Sequence, residues 1–205
     1  MHPNPAFRQD GTDRHIAFAR DRAFGTLAVN AEDGPLLSHV PFLLADDGHS
    51  ADLHLVRSNP IARLGAVDAV IAVHGPDGYI SPDWYGVDDQ VPTWNYVAVH
   101  LRGRLKPQPH DSLMGLLRRQ SAAFEARLAP KPPWMPDKMS DDALKRMMRM
   151  IVPFRLTITE IQGTWKLNQN KDAAARLGAA NSVATGFGQE LGSLAALMSD
   201  GTSAD

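Results

Sequence analysis

The sequence predicts an α+β fold, built mainly on antiparallel strands with helices at the periphery, and three observations predict it. Short apolar runs follow one another early in the chain, separated by the turns Glu32-Asp33-Gly34 and Asp46-Asp47-Gly48. The stretch V-P-T-W-N-Y-V-A-V-H-L-R-G, residues 91–103, is the most strand-like run: Val97, Val99 and Leu101 alternate with Tyr96, Ala98 and His100. Helical periodicity is confined to separate segments, the clearest being His110 to Leu128.

Taken in order, Thr12-Asp13 caps a short helix through about Arg22, with Ile16 and Ala19 inward. Phe24 to Val29, Leu36 to Leu44 and Asp52 to Arg57 read as an antiparallel meander. Arg57-Ser58-Asn59-Pro60 leaves the last of these and enters a short helix, with Ser58 or Asn59 as cap, Pro60 at its first position and Gly65 as stop. Asp68 to Val73 is a buried strand that ends at a Gly75 turn, and Pro92 opens the strand through Leu101. In the helix from His110 to Leu128, Leu113, Leu116, Leu117, Phe124 and Leu128 fall near one face, and A-P-K-P-P-W-M-P breaks it. Ser140-Asp141-Asp142 caps another helix, with Leu144, Met147, Met148 and Ile151 at core spacing and Lys145, Arg146 and Arg149 outside. Phe154, Leu156 and Ile158 mark one more strand. Asp172 to Leu177 and Gln189 to Met198 read as terminal helices, and residues 199–205 are expected to fray. No repeat or linker divides the chain, so one domain over residues 1–205 is expected.

The chain has 205 residues, 43% hydrophobic and 21% charged, enough to bury a core. It has no cysteine, which excludes disulfides, cysteine-ligated metal and a thiol nucleophile. The N-terminal stretch lacks a signal-type apolar core and no apolar run spans a bilayer, so a soluble, cytoplasmic protein is expected. A formal net charge of −2 argues against a dedicated nucleic-acid binder, because each phosphate contact needs a cation.

Three stretches carry candidate chemistry. Arg57, Ser58 and Asn59 at a helix start present donors and a partial positive charge suited to a phosphate; an ordinary strand-to-helix turn with a solvated arginine is the plainer alternative. G-P-D-G-Y-I-S-P-D-W-Y-G, residues 75–86, together with Trp94 and Tyr96 offers a stacking wall, or simply aromatic core. E-I-Q-G-T-W-K-L-N-Q-N-K, residues 160–171, is dense in donors and suits an acceptor-rich partner, or else is a polar loop capping the next helix. His39, His54, His74 and His100 come from separate strands and read as sheet histidines rather than metal ligands. No dinucleotide fingerprint, phosphate-binding P-loop, nucleophile elbow, zinc-protease motif or helix-turn-helix is present.

The stretches H-V-P-F (39–42), R-S-N-P (57–60), G-P-D-G-Y-I-S-P-D-W-Y (75–85), P-T-W-N-Y-V-A-V-H (92–100) and K-L-N-Q-N-K (166–171) resemble the PaiB family of FMN-binding negative transcriptional regulators. The resemblance runs over nearly the whole chain. His2 departs from the family's usual Met-Tyr start, and Asn168 stands where a serine is usual. The resemblance implies a split β-barrel of the pyridoxamine-phosphate-oxidase-like type, a homodimer with FMN at the subunit interface. By that analogy Ser38, His39, Val40, Pro41 and Phe42 line the flavin edge, and Arg57, Ser58 and Asn59 hold its phosphate. Trp94, Asn95, Lys166, Gln169 and Asn170 close over the ring, the last three in one version from the partner subunit. Three functions follow: a flavin-binding regulator that lowers transcription, an FMN-dependent oxidoreductase or flavin reductase, or a dimeric interaction module with a vestigial site. The first is taken ahead of the others, with direct DNA contact unsupported by charge.

Overall fold

In the computed structural model, which describes Met1–Asp200, the chain forms two compact units. One contains residues 1–18, 73–100 and the chain from Gln162 onward; the other contains residues 19–72 and 101–161. Eight strands are described: β1 (Phe24–Ala31), β2 (Gly34–Pro41), β3 (Leu43–Leu44), β4 (Ser50–Val56), β5 (Val67–Ile80), β6 (Thr93–Pro107), β7 (Ile151–Lys166) and β8 (Gly188–Gln189). They hydrogen-bond in the order β2-β1-β5-β6-β7-β4-β3, with β8 on β5, and the pairs β1–β2, β1–β5, β3–β4, β4–β7 and β5–β8 are antiparallel. The expected mainly antiparallel α+β architecture is therefore present. Five helices accompany it: α1 (Thr12–Arg22), α2 (Leu113–Glu125), α3 (Asp141–Met148), α4 (Ala173–Val183) and α5 (Leu191–Asp200).

In the unit that holds the meander, alternation decides which side chains go inward. Leu27 pairs with Ser38 on β2 and with Ile71 on β5, while its neighbours Thr26 and Ala28 point to the opposite face. Leu27, Val29, Phe42, Leu53, Leu55, Ile71, Phe154 and Leu156 are all buried. Each such side chain contributes about 1.5–3 kcal/mol by leaving water. The predicted strand 36–44 is interrupted at Phe42, which is wholly buried and whose N–H donates to Ala23 O at 3.0 Å.

In the other unit α4 and α5 pack small against large: Ala175, Ala179 and Ala180 of α4 share a buried cluster with Leu194 and Met198 of α5, and with Ile80, Tyr85, Val97, Trp165 and Leu167. Asp172 caps α4, its Oδ1 accepting from Ala175 N–H at 2.8 Å. The helix runs six residues beyond the predicted Leu177 end.

Four expectations are corrected. Gly75-Pro76-Asp77-Gly78 does not turn but lies inside β5. A Cβ on Gly75 would sit 2.7 Å from the Phe18 ring, and one on Gly78 2.8 Å from Leu194 Cδ2, so these glycines permit close packing. The helix over 110–128 is regular only from Leu113 to Glu125, with short 3-10 turns at His110–Ser112 and Ala126–Leu128, and Leu128 is 53% exposed. No residue of α3 is buried, Met147 is 58% exposed, and Ile151 belongs to β7. Ala143, Leu144 and Met148 are only half-buried, so the apolar face of this eight-residue helix is covered in part. Finally, β7 continues through Lys166, so the first half of the donor-rich stretch is strand. Of the residues expected to fray, Ser199 and Asp200 close α5, and 201–205 lie outside the described residues.

Candidate functional site

The proposed flavin residues divide between the two units. Ser38 through Phe42 and Arg57 through Asn59 lie in the meander unit; Trp94, Asn95, Lys166, Gln169 and Asn170 lie in the other.

In the meander unit, β4 ends at Val56 and the chain enters a 3-10 turn, Pro60–Arg63, rather than an α-helix. Asn59 caps it: Oδ1 accepts from Ile61 N–H at 2.9 Å. The same side chain donates from Nδ2 to Ser38 Oγ at 3.0 Å, so one asparagine ties the exit of β4 to β2. Arg57 donates from Nε to Arg149 O at 3.0 Å, and its backbone N–H donates to Met150 O at 2.7 Å. Its terminal guanidinium nitrogens and the Ser58 hydroxyl meet no protein acceptor among the described residues, and both side chains are exposed. Ser38 and Pro41 are half-buried, and His39 is exposed with its Nδ1 3.2 Å from Thr26 Oγ1. Val40 and Phe42 point into the core at 2% and 0% exposure. The accessible members are thus Ser38, His39, Pro41, Arg57 and Ser58, with Asn59 as the brace. An oriented arginine with open N–H groups beside a free hydroxyl is a donor set that fits the phosphate end of FMN.

Asn59→Ala removes both the cap and the tie, and we expect it to cost about 1–2 kcal/mol. Urea unfolding measures it. A Ser38→Ala background should remove part of that loss if the tie contributes.

In the other unit, Lys166 Nζ donates to Trp94 O at 2.7 Å and to Thr93 Oγ1, bracing the start of β6. Burial pushes its ammonium pKa down. Trp94 is 43% exposed and meets Tyr79 and Phe187 edge-to-face, at centroid distances of 6.4 and 5.6 Å. Of the expected wall Tyr79 and Trp94 meet, stepped rather than flat, and Phe187 joins them because Tyr79 N–H donates to Phe187 O beside the β5–β8 pairing. Tyr85 is core instead, with burial raising its phenol pKa and the facing Asn168 side chain acting in the opposite direction without completing a hydrogen bond. Asn95 is fully buried; its Nδ2 lies 3.4 Å from Met198 Sδ and its Oδ1 has no partner. Gln169 folds back onto its own turn, accepting from Leu167 N–H at 2.8 Å and donating to Trp165 O and Ala6 O. Asn170 is exposed. Asn168, the departure in this motif, holds φ at 63° and is 2% exposed. Asparagine tolerates that left-handed conformation better than most residues, so its place here is a backbone requirement.

The four strand histidines form no metal cluster: among the described residues no three metal-ligating side chains converge. No helix described is long and apolar enough to cross a membrane.

Comparison with known proteins adds three findings. The model of a family described as "Putative FMN-binding domain" matches residues 1–160. The chain is 31% identical over 159 residues to "Protease synthase and sporulation protein PAI 2" of Bacillus subtilis (strain 168), covering 76% of this chain and 75% of that protein. Among solved structures it is similar to the FAD and heme binding protein from Mycobacterium smegmatis, with TM-score 0.59, 16% identity and coverage of 89% and 82% of the two chains. It is also similar to the flavocytochrome Anf3 from Azotobacter vinelandii, with TM-score 0.55, 12% identity and coverage of 80% and 72%. At such identities the structural likeness speaks to fold alone, and the fold is the split barrel.

Proposed function

This chain belongs to the "Putative FMN-binding domain" family as a PaiB-like, flavin-binding protein, and from that premise we propose that it acts as an FMN-dependent negative regulator of transcription rather than as a turnover enzyme. Its cofactor is FMN. The observation that carries the reading is the patch at the end of β4, where Arg57 and Ser58 keep open donors while Asn59 is fixed to Ser38. There Arg57 and Ser58 bind the phosphate, Asn59 holds their backbone, and Ser38, His39 and Pro41 border the flavin edge. Trp94 and Lys166 offer an apolar face and a cation to a ring, supplied across the interface of a homodimer. When bound, FMN supplies electron-accepting chemistry; the side chains bind and orient it. A cytoplasmic location accords with a regulatory role.

FMN titration followed by fluorescence quenching tests the cofactor site. Arg57→Ala should weaken binding by about tenfold or more, the scale of a lost charge-assisted contact. Unchanged affinity would remove Arg57 from the phosphate site. The regulatory reading predicts salt-sensitive binding to a promoter fragment, alone or with a protein partner. Steady oxidation of NADH or NADPH by the FMN-loaded protein would replace it with the oxidoreductase reading.

A further inference from the structure

Asp52 on β4 and Arg155 on β7 stand directly opposite one another. Arg155 donates from Nε to Oδ1 at 2.6 Å and from Nη2 to Oδ2 at 2.9 Å, the two-pronged grip of a guanidinium on a carboxylate. Arg119, from α2, donates Nη2 to the same Oδ2 at 2.9 Å. The Asp52 side chain is only 13% exposed, whereas those of Arg119 and Arg155 are 54% and 46% exposed. Burial opposes ionisation of Asp52, but Arg155 and then Arg119 outweigh it and hold the carboxyl below its usual range. One carboxylate thereby orders two cations, and the trio keeps a surplus positive charge.

The remaining donors point to a use. Arg155 Nη1 and Arg119 Nε and Nη1 meet no protein acceptor among the described residues. Both arginines line a cavity of about 350 Å³ in the meander unit. Gly115 keeps its wall open, since a Cβ there would meet only Arg119 Nη1, at 3.5 Å. Asp111, exposed at the cavity, balances the trio's single surplus charge, which leaves recognition to the guanidinium donors and disfavours a polyanion. The volume exceeds that of a bare phosphate or carboxylate and leaves room for the rest of a small molecule.

We propose that this cavity binds a small molecule through a single anionic head group, phosphate or carboxylate, gripped by Arg119 and Arg155 and separate from the flavin site. The trio is pre-organised because Asp52 fixes both guanidiniums before any ligand arrives, which lowers the ordering cost of binding. The site stands whether or not FMN binds at Arg57.

Thermal unfolding and calorimetric titration of the full chain test it, with inorganic phosphate and acetate as separate probes. At millimolar concentrations at least one probe should raise the unfolding midpoint of the wild type, and whichever binds identifies the head group. Arg119→Gln should weaken that probe by about tenfold or more. Gly115→Leu, which fills the cavity without removing a charge, should do the same and guards against a folding defect in the arginine variant. Arg118→Gln, one residue away and paired with Asp137, should leave affinity unchanged. No stabilisation of the wild type by either probe overturns the proposal, as does an equal loss in Arg118→Gln. Loss of FMN affinity in Arg119→Gln would make the cavity the flavin's own phosphate site and overturn its separateness.

Discussion

Gly103→Ala lowers the stability of the protein by about 3 kcal/mol or more. Propensity alone would predict the opposite sign, since glycine inside a strand is disfavoured relative to alanine by about 0.5–1 kcal/mol. Contact reverses it. A Cβ on Gly103 of β6 would lie 1.9 Å from Thr157 O, 2.8 Å from Thr157 C and 3.0 Å from Ile158 Cα. All three are backbone atoms of β7, so no side-chain rotation relieves the overlap, and the strands themselves must move. Urea unfolding of Gly103→Ala beside Gly192→Ala, where a Cβ meets nothing within 4 Å, gives the comparison. A loss below about 1 kcal/mol at Gly103 would mean that β6 and β7 yield at this point.

The second large effect concerns His15, which is 4% exposed and accepts from the Trp165 indole N–H at 3.2 Å through Nδ1. Arg14 lies 3.8 Å above the Trp165 ring. Burial pushes the His15 pKa below its ordinary value of 6.5; Asp10 works against that shift and Arg14 adds to it. A lowered folded-state pKa means that the unfolded chain takes up the proton first. The stability contributed by neutral His15 is therefore complete above about pH 6.5, declines as pH falls below it, and is fully lost under the folded-state pKa. Protonation would also turn the Trp165 acceptor into a donor. His54, whose Nδ1 lies 3.2 Å from Gln120 Oε1, is shifted down by burial too and adds in the same direction. His15→Leu should cost about 1–3 kcal/mol at pH 8, by orphaning the buried indole N–H, and should flatten the fall in stability between pH 7 and pH 5. An unchanged pH slope in that variant would assign the acid sensitivity elsewhere.

The candidate site shows where reading from sequence reaches and where it stops. Asn59-Pro60 announces a capped turn through local chemistry alone, and Arg57 beside it is legible as a phosphate donor for the same reason. Ser38 is named by the family resemblance alone, and its hydrogen bond to Asn59 is a tie across two strands that no local rule supplies. Trp94 was legible as an aromatic wall, but its neighbour Phe187 was not, because 93 residues separate them and β8 carries no strand signal. Asn95 and Gln169 look like ligand donors in a string of polar residues. Their partners, Met198 and the turn from Trp165 to Leu167, engage those donors internally.

By itself the sequence determined the strands that alternate, the cap at Ser140, a cap at Ser58 or Asn59, and the absence of thiol chemistry. Each depends on backbone preference or side-chain reach within a few residues, and such effects are complete before distant parts meet. The tertiary structure alone decided that Gly75 and Gly78 are packing positions, that no residue of α3 is buried, and that Asp52 gathers Arg119 and Arg155. Those outcomes depend on strand register and on how closely two backbones approach, quantities that belong to pairs of distant residues rather than to either residue alone.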